Sequence, residues 1–320
     1  MTGDATVGRR VVLRRRVAGP DGRPQYSDVV GVLVEDDPSG LTVRRRDGDV
    51  VTVPAGDVAL VRTVAASPLD VLALEEVAAQ GWRAPDADRL GGWLLRAAEG
   101  WTGRANSVLP LGDPGLPLAD ALAFVTDWYA RRGLRARFQL PEPGREALAA
   151  ALTARGWTGH LPVRVLTADV GTVLRGLRER RDLPPVAVEP EPSGEWMGAY
   201  HYRGEGGVPP VARAVLTGSD RPGFAIVRSG GAAVAIARAS VDAGWVGVTA
   251  VEVDPGWRRR GLARHVMRGV LTWAARLGAR DSYLQVSDDN AAALALYAGL
   301  GYAEHHRYSY RVAPSAPSAP

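Results

Sequence analysis

The chain repeats its own landmarks at a constant spacing of 145 residues. The repeated residues pair as Val108 with Val253, Pro110 with Pro255, Trp128 with Trp273, Gly133 with Gly278, Arg135 with Arg280 and Gly156 with Gly301. One offset that holds across two predicted strands and two predicted helices indicates an internal duplication. We therefore expect two similar α/β halves in tandem.

The second half contains a strand, a basic glycine turn and a helix within residues 248–271. An apolar, β-branched run predicts a buried strand, and Pro255 ends it because proline cannot donate to a strand ladder. From Gly261 onward the apolar residues recur at helical spacing. The first amides of a helix lack intrahelical partners, and the helix dipole favours phosphate at that end. The turn is therefore predicted to bind a ligand that carries a diphosphate.

Three features of this half resemble the GNAT superfamily of acyltransferases. Residues 258–263, RRRGLA, match the Arg/Gln-x-x-Gly-x-Gly/Ala turn, whose amides hold the pyrophosphate of acetyl-CoA in that family. Asn290, Tyr297 and the Leu-Gly-Tyr run at 300–302 match the helix after the family's fifth strand. The predicted strand at 282–286 lies where the family's element order requires it. The resemblance implies an N-acetyltransferase that uses acetyl-CoA.

The resemblance also implies roles for the matching residues. Tyr297 corresponds to the family's general acid near the thioester sulfur, and Glu252 is a candidate general base on the strand that precedes the turn. A packed aromatic at Tyr297 and a solvated strand residue at Glu252 are the alternatives. The expected CoA-binding residues are Val251, Val253, Arg258, Arg259, Arg260, Gly261, Leu262, Ala263, Arg264 and Asn290.

An aromatic and basic cluster lies in the region where GNAT enzymes commonly bind the acyl acceptor. Its predicted acceptor-binding residues are Trp196, Tyr200, His201, Tyr202 and Arg203. A helix that is merely packed by Trp196 and Tyr200 explains the same pattern. His201, Glu205 and a chain of water molecules are alternatives to Glu252 as the base.

The first half lacks the features that would hold CoA. In the 145-residue register, residues 113–116, DPGL, occupy the place of the basic glycine turn. Arg145 stands where Asn290 stands, and Leu152 stands where Tyr297 stands. Proline donates no amide, and an acid replaces the first arginine of the turn. We expect this half to be structural or to shape the acceptor site.

The segment WLLRAAEGWTGRANSVLP at residues 93–110 is similar to a GNAT subfamily of high-G+C bacteria that has an N-terminal SH3-like barrel. Short β-rich runs separated by turns near the N-terminus predict such a barrel. The expected fold is α/β (α+β), with tandem GNAT-like mixed sheets flanked by helices after the barrel. The expected domains are the barrel at 1–66, a degenerate GNAT-like half at 67–182, an acetyltransferase half at 183–312 and a disordered tail at 313–320.

Two arginine triplets, residues 14–16 and 44–46, lie on the predicted barrel strands. One interpretation is a patch that faces nucleic acid, and the other is solvated strand faces. The segment holds almost as many acidic residues as arginines, which favours solvated faces. We therefore do not expect nucleic acid as a partner.

The composition limits the possible chemistry. The chain has no cysteine, which excludes disulfides, thiol catalysis and cysteine metal sites. Of its five histidines only His305 and His306 are adjacent, so the usual metal-ligand spacings are absent and we expect no metal. No apolar run reaches membrane-spanning length. We expect a soluble cytoplasmic monomer or homodimer that acts on a small-molecule or peptide amine.

Three functions are compatible with these patterns. The leading one is direct acetyl transfer from acetyl-CoA to an unidentified amine in a ternary complex. The second is a regulatory protein that binds acyl-CoA without turnover, and the third is a nucleic-acid-associated module that uses the barrel. The presence of Tyr297 favours the enzyme.

Overall fold

A computed structural model of the chain describes residues 7–19, 21, 23–159, 162–201 and 207–314. The first part is a five-stranded antiparallel sheet in the order β4-β3-β2-β1-β5. Valines and leucines that alternate along its strands form a small separate core. Its strands are β1 (Arg10–Ala18), β2 (Pro24–Asp37), β3 (Gly40–Arg44), β4 (Val50–Pro54) and β5 (Val58–Thr63).

The first half of the duplicated region begins with a capped helix. Ser67 accepts a hydrogen bond from the Asp70 amide in a capping box, which fixes the start of this helix. The elements are α1 (Pro68–Gly81), β6 (Asp86–Leu90), β7 (Trp93–Ala97), β8 (Leu109–Pro110), α2 (Leu118–Ala130), β9 (Arg137–Glu142), α3 (Glu146–Thr153), β10 (Thr158–Gly159), β11 (Val163–Asp169) and α4 (Val170–Gly176).

The second half begins with a strand inside the proline-rich segment at residues 184–192, whose composition predicts a linker. Among the described strands, this one (β12) pairs with β13 alone and so lies at a sheet edge, where flanking prolines are tolerated. The elements are β12 (Val186–Glu189), α5 (Gly194–Ala199), α6 (Val211–Thr217), β13 (Pro222–Ser229), β14 (Ala232–Asp242), β15 (Trp245–Val253), α7 (Leu262–Arg276), β16 (Asp281–Ser287), α8 (Ala291–Ala298) and β17 (Ala303–Val312).

Elements of the two halves coincide in the 145-residue register. Helix α3 spans 146–153 and α8 spans 291–298, so both ends differ by the same offset. Strands β9 and β16 also correspond, at 137–142 and 281–287. The internal duplication inferred from the sequence is therefore present in the structure.

The two halves share one nine-stranded sheet through an exchange of strands. Strand β11 of the first half pairs with β16 of the second, and β17 of the second half pairs with β9 of the first. Strands β11 and β17 also pair with each other. The proposed boundary at residues 182/183 therefore divides the chain but not the sheet.

The part of the sheet formed by β13, β14 and β15 has two differently covered faces. Helix α7 packs on one face, where Ala235, Ala237 and Ala239 of β14 contribute to the core. Helices α1, α5 and α6 cover the other, where Ile236 packs with Trp196 and neighbouring apolar residues. We call these the α7 face and the α5 face.

One arginine of the predicted triplets connects the barrel to the shared sheet. Arg44 forms ion pairs with Asp169, at 3.2 Å, and with Asp281, and its side chain is only 12% exposed. Both interpretations of the triplets, a nucleic-acid patch and a solvated face, are therefore wrong for this residue. Arg14, by contrast, forms an exposed pair with Asp28.

Two further details differ from the sequence prediction. The residue pattern at 173–181 predicts a helix. The helix there is α4, which begins earlier, at Val170, because Asp169 accepts the Thr172 amide as an N-cap. The predicted disordered tail starts with an ordered residue, since the Ala313 amide donates to the Ala136 carbonyl at 2.9 Å. Residues 315–320 of that tail lie outside the described residues.

Candidate active site

Strands β15 and β16 separate soon after they begin, and the gap between them is the centre of the candidate site. The two parallel strands pair only over residues 245–247 and 281–283. Beyond Gly247, β14 is the only strand in the described structure that pairs with β15. The amides of residues 248–253 that point away from β14 therefore have no ladder partner and are free to bind a ligand.

A β-bulge in β15 lies beside this gap. The register with β14 shifts between Ile236 and Arg238, and Ala250 has a positive φ of 53°. Glu252 follows the bulge and lies opposite Ile236, which puts its side chain on the α5 face. Bulges re-aim side chains and interrupt pairing, as the roles predicted for Glu252 and its neighbours at 251 and 253 require.

Strand β15 ends in a turn that presents backbone amides. Asp254 accepts a hydrogen bond from the Gly256 amide at 2.8 Å. Gly261 is the N-cap of α7 with a φ of +88°, a conformation that glycine adopts without steric cost. The amides of residues 262–264 have no protein acceptor in the described structure, as expected for the first turn of a helix. Leu262 itself is buried, so only its amide is available to a ligand.

Arginines surround this turn. Arg258, Arg259 and Arg260 are exposed. The Arg260 guanidinium lies 4.8 Å from the centre of the Trp257 ring, and Arg258 Nε donates to the Val253 carbonyl at 3.4 Å. Such weakly held guanidinium groups can turn toward an anion at the turn.

Two contacts hold the turn against neighbouring segments. Arg264 at the start of α7 donates to the Gly299 carbonyl at 3.2 Å, which joins α7 to the end of α8. Arg180 Nη1 donates to the Arg260 carbonyl at 3.4 Å and lies close to Gly261. Arg180 is not among the predicted site residues, because it lies 80 residues before the turn and no local pattern connects the two segments.

Helix α8 carries the predicted acid and the predicted asparagine. Asn290 accepts the Ala293 amide at 3.0 Å and is the N-cap of the helix. Tyr297 is 7% exposed and packs edge-on against Tyr302. Burial raises the pKa of Tyr297 to about 12, so its hydroxyl keeps its proton at neutral pH. No group in the described residues forms a hydrogen bond with that hydroxyl, which leaves it available to a ligand.

Glu252 and His201, which the sequence gives as separate candidates, form a pair. Glu252 Oε1 accepts a hydrogen bond from the His201 amide at 2.9 Å, and Oε2 lies 3.2 Å from His201 Nδ1. Burial raises the pKa of Glu252, while the hydrogen bonds and charge of His201 oppose that rise. A raised pKa makes the carboxylate a stronger proton acceptor.

The predicted acceptor cluster divides into three parts. Trp196 is fully buried, and its indole N–H donates to the carbonyls of Ala225 and Ala237 at 3.1 and 3.3 Å. It therefore packs the core and has no surface for an acceptor. Tyr200 is buried beside it, and of the cluster members that the structure describes only His201 is exposed. Tyr202, Arg203 and the alternative base Glu205 lie outside the described residues.

The corresponding gap in the first half is closed. The Val108 amide donates to the Arg137 carbonyl at 2.8 Å, and the Gln139 amide donates to the Val108 carbonyl at 2.9 Å. Arg145 Nε then donates to the Pro110 carbonyl at 2.6 Å, across the end of the gap. Leu152, at the position of Tyr297, is fully buried. This closed arrangement contrasts with the open gap of the second half, and the absence of a CoA site from the first half stays a prediction.

Comparison with known proteins assigns both parts of the chain. The family model described as "Probable histone acetyltransferase Rv0428c C-terminal" matches residues 69–311. The chain belongs to the Rv0428c family of the GNAT superfamily. A second model, "Rv0428c N-terminal Sm-like domain", matches residues 5–62. The predicted small β domain is thus confirmed, whereas its finer assignment as SH3-like stays a prediction.

A relative and two solved structures extend this result. The chain is 30% identical to "Probable histone acetyltransferase Rv0428c" of Mycobacterium tuberculosis over 97% of its own length and 96% of that protein. A GCN5-related N-acetyltransferase from Kribbella flavida matches with a TM-score of 0.58 and 20% identity, covering 77% of this chain and 96% of that one. A tandem GNAT protein from the clavulanic acid biosynthesis pathway matches with a TM-score of 0.53 and 15% identity, covering 80% and 91%.

These matches confirm the recognition and the fold class predicted from the sequence. This Rv0428c-family member is an acyltransferase of the GNAT type, with a small β domain before a tandem acetyltransferase region. None of the helices in the described part of the chain has the length and apolarity needed to cross a bilayer.

Proposed function

We propose that the second half transfers an acetyl group from acetyl-CoA to the amine of an acceptor. The observation that carries the proposal is the gap between β15 and β16, which ends at the free amides of α7. Free strand amides and a glycine turn at a helix start fit the extended amide-bearing arm and the diphosphate of CoA. The closed gap of the first half supports a single donor site.

Specific residues would hold the donor. The amides of residues 262–264 and the arginines at 258–260 would bind the pyrophosphate. The free amides of residues 248–253 would pair with the pantetheine arm and polarise the thioester carbonyl, as an oxyanion hole does. Asn290 caps α8 and so acts on the site by fixing that helix. Acetyl-CoA itself supplies the activated acetyl thioester.

Glu252 would act as the general base. An amine attacks only as the free base, and Glu252 on the α5 face can accept its proton directly or through water. His201 orients the carboxylate through two contacts, so the accepting oxygen is held in one place. The new C–N bond forms at the acetyl carbon as its C–S bond breaks.

Tyr297 would return a proton to the leaving sulfur. Burial keeps the pKa of this phenol at about 12, so the hydroxyl is fully protonated at neutral pH. Proton transfer from a positioned phenol to a departing thiolate prevents reversal of the transfer. The proposed base and acid then approach the gap from opposite faces of the sheet, since Glu252 lies on the α5 face and Tyr297 packs in the core of the α7 face.

The remaining expectations are part of the same proposal. The proposal includes domain boundaries near residues 66 and 182, a cytoplasmic location, and a monomer or homodimer. A regulatory protein that binds acyl-CoA without turnover is the competing function. The Glu252–His201 pair favours the enzyme, because such a regulatory protein, here called a sensor, does not need a general base on the α5 face.

Release of free CoA tests the proposal. The chain has no cysteine, so a thiol reagent detects only the CoA that acetyl transfer liberates. It also has no lysine, which excludes acetylation of its own side-chain amines. We expect release that requires an added amine and that falls on mutation of Glu252. Tight binding of acetyl-CoA without release in the presence of any amine would favour the sensor.

A further inference from the structure

Two arginines on the α5 face are not neutralised by any carboxylate in the described structure. Arg238 of β14 is fully buried, where its Nε donates to the Leu216 carbonyl at 2.6 Å and its Nη2 to Ser219 Oγ at 3.2 Å. Burial, together with the nearby charge of Arg104, lowers the pKa of Arg238 to about 10. Arg238 nevertheless stays cationic at neutral pH.

Arg104 reaches this face from the first half of the chain. Its short 3-10 turn, Arg104–Asn106, follows β7, and its Nη1 donates to Gln285 Oε1 on β16 at 2.6 Å. The guanidinium carbon of Arg104 lies 4.5 Å from the centre of the Trp82 ring, and that of Arg238 lies 5.0 Å from the same ring. One indole therefore bridges two like charges.

Unpartnered polar atoms lie next to these cations. Gln285 Nε2 and Thr249 Oγ1 are buried and have no hydrogen-bond partner in the described structure. Thr249 is opposite Arg238 in the β14–β15 register. Tyr283 is the last residue of β16 that pairs with β15, and Gln285 lies two residues after it. The unpartnered atoms thus lie where the two strands separate, and a ligand there would satisfy both of them.

The cations and the proposed base share this face. Glu252 is three residues beyond Thr249 on β15, and its partner Ile236 is two residues before Arg238 on β14. The rings of Trp82 and Trp101 stack at 5.8 Å, and Trp101 meets Tyr200 edge-on at 6.5 Å. Tyr200 directly precedes His201, so aromatic contacts connect the two arginines to the Glu252–His201 pair.

We propose that the acceptor amine carries an anionic group, a carboxylate or a phosphate, within a few bonds of its nitrogen, and that Arg104 binds that group. The inference rests on the acetyl transfer proposed above. A half-buried guanidinium without a carboxylate partner gains most from an anion, and its fork suits both oxyanions. Arg238 adds positive potential, and Gln285 supplies a further donor. The first half then determines acceptor specificity, although it does not hold CoA.

Matched pairs of amines test this assignment. The probes are glycine with glycinamide, glutamate with its diamide, and O-phosphoethanolamine with ethanolamine; a lysine-rich peptide with a blocked C-terminus is the cationic comparator. Binding to the free and the CoA-loaded protein is measured by titration, and turnover by thiol release. We expect the anionic member of at least one pair to bind and react at least 10-fold better than its neutral partner. The preferred pair tells a carboxylate from a phosphate.

Variants then assign the preference to one side chain. Arg104→Met should reduce the ratio within the preferred pair to nearly one through a higher KM for the acceptor, with the KM for acetyl-CoA unchanged. Arg104→Lys should keep part of the preference, because it keeps the charge without the fork. The control is Arg16→Met, at an exposed position of the barrel, which should keep the full ratio.

Several outcomes would overturn the assignment. These are an equal affinity within every pair, a preference for the lysine-rich peptide, or a ratio that survives in Arg104→Met. Because the ratio is read from binding as well as turnover, a protein that binds the anionic amine but releases no CoA would contradict only the proposed transfer. A protein that acetylates neutral amines equally well would contradict only the assignment of Arg104.

Discussion

Arg145 Nε donates to the Pro110 carbonyl at 2.6 Å, across the gap that stays open in the other half of the chain. Arg145 occupies the position that Asn290 occupies in the second half, where the asparagine caps α8 instead. The same position of the repeat therefore closes the gap in the first half and caps a helix in the second. This difference supports the proposal that the second half binds the donor and the first half shapes the acceptor site.

Replacement of the proposed base should slow the reaction. Glu252→Gln keeps the size of the side chain and removes its ability to accept a proton at neutral pH. We expect kcat to fall by about 100-fold or more at neutral pH, as for other general bases. Steady-state thiol release measures the loss, and acetyl-CoA affinity within about 2-fold of wild type should accompany it. An unchanged kcat would exclude Glu252 as the base.

The pH profile should report the Glu252–His201 pair. Burial raises the pKa of Glu252. As pH falls, activity should therefore be lost at a pH above the ordinary pKa range of glutamate. The His201 side chain opposes that rise in pKa. The substitution His201→Ala removes the side chain and keeps the backbone amide that donates to Glu252. The acidic limb of kcat/KM should therefore move to higher pH in His201→Ala. A limb that stays in place or moves to lower pH would contradict this coupling.

Loss of the Tyr297 hydroxyl should separate catalysis from stability. Tyr297→Phe should lower kcat by about 10- to 100-fold. Its free energy of unfolding should change by less than about 1 kcal/mol, because no protein hydrogen bond is lost. Tyr302→Phe is the matched control, since the Tyr302 hydroxyl lies 2.6 Å from Ser282 Oγ. The control should lose about 1 kcal/mol of stability and keep its kcat. The reverse pattern would remove Tyr297 from the mechanism.

The contact between the barrel and the sheet should make stability depend on pH. Burial raises the pKa of Asp281 to about 6, although the ion pair with Arg44 opposes the rise. The Asp281 carboxyl therefore takes up its proton at a higher pH in the folded protein than in the unfolded chain. As a result, the free energy of unfolding increases as pH falls from 7 to 4. A shift of this size is worth about 3 kcal/mol.

Asp281→Asn should remove that dependence. Urea unfolding at several values between pH 4 and pH 7 gives the free energy of unfolding of both proteins. As pH falls toward 4, the free energy of unfolding of the wild type should increase relative to that of the variant. A difference that is constant over this range would show that Asp281 has the same pKa in the folded and unfolded chain.

Local patterns predicted much of the fold. The 145-residue register, the strand–turn–helix unit and the Asn290 cap are encoded by residues that are close in sequence. The exchange of β11 and β17 is not, because pairing across more than 100 residues leaves no local periodicity. The same is true of Arg104, which reaches Gln285 across 181 residues, and of Arg44, which reaches Asp281 across 237. Residue type alone also misled at Trp196, where an aromatic in a binding region proved to be a core residue.

Titration of acetyl-CoA into two matched variants tests the central claim most directly. Gly261→Trp places a side chain at a φ of +88° beside Arg180 and should block the free amides of α7. Leu116→Trp makes the corresponding change in the first half, at an exposed position. We predict that wild type and Leu116→Trp bind acetyl-CoA with equal affinity and that Gly261→Trp does not bind it. Retained binding in Gly261→Trp, or its loss in Leu116→Trp alone, would contradict a single donor site in the second half.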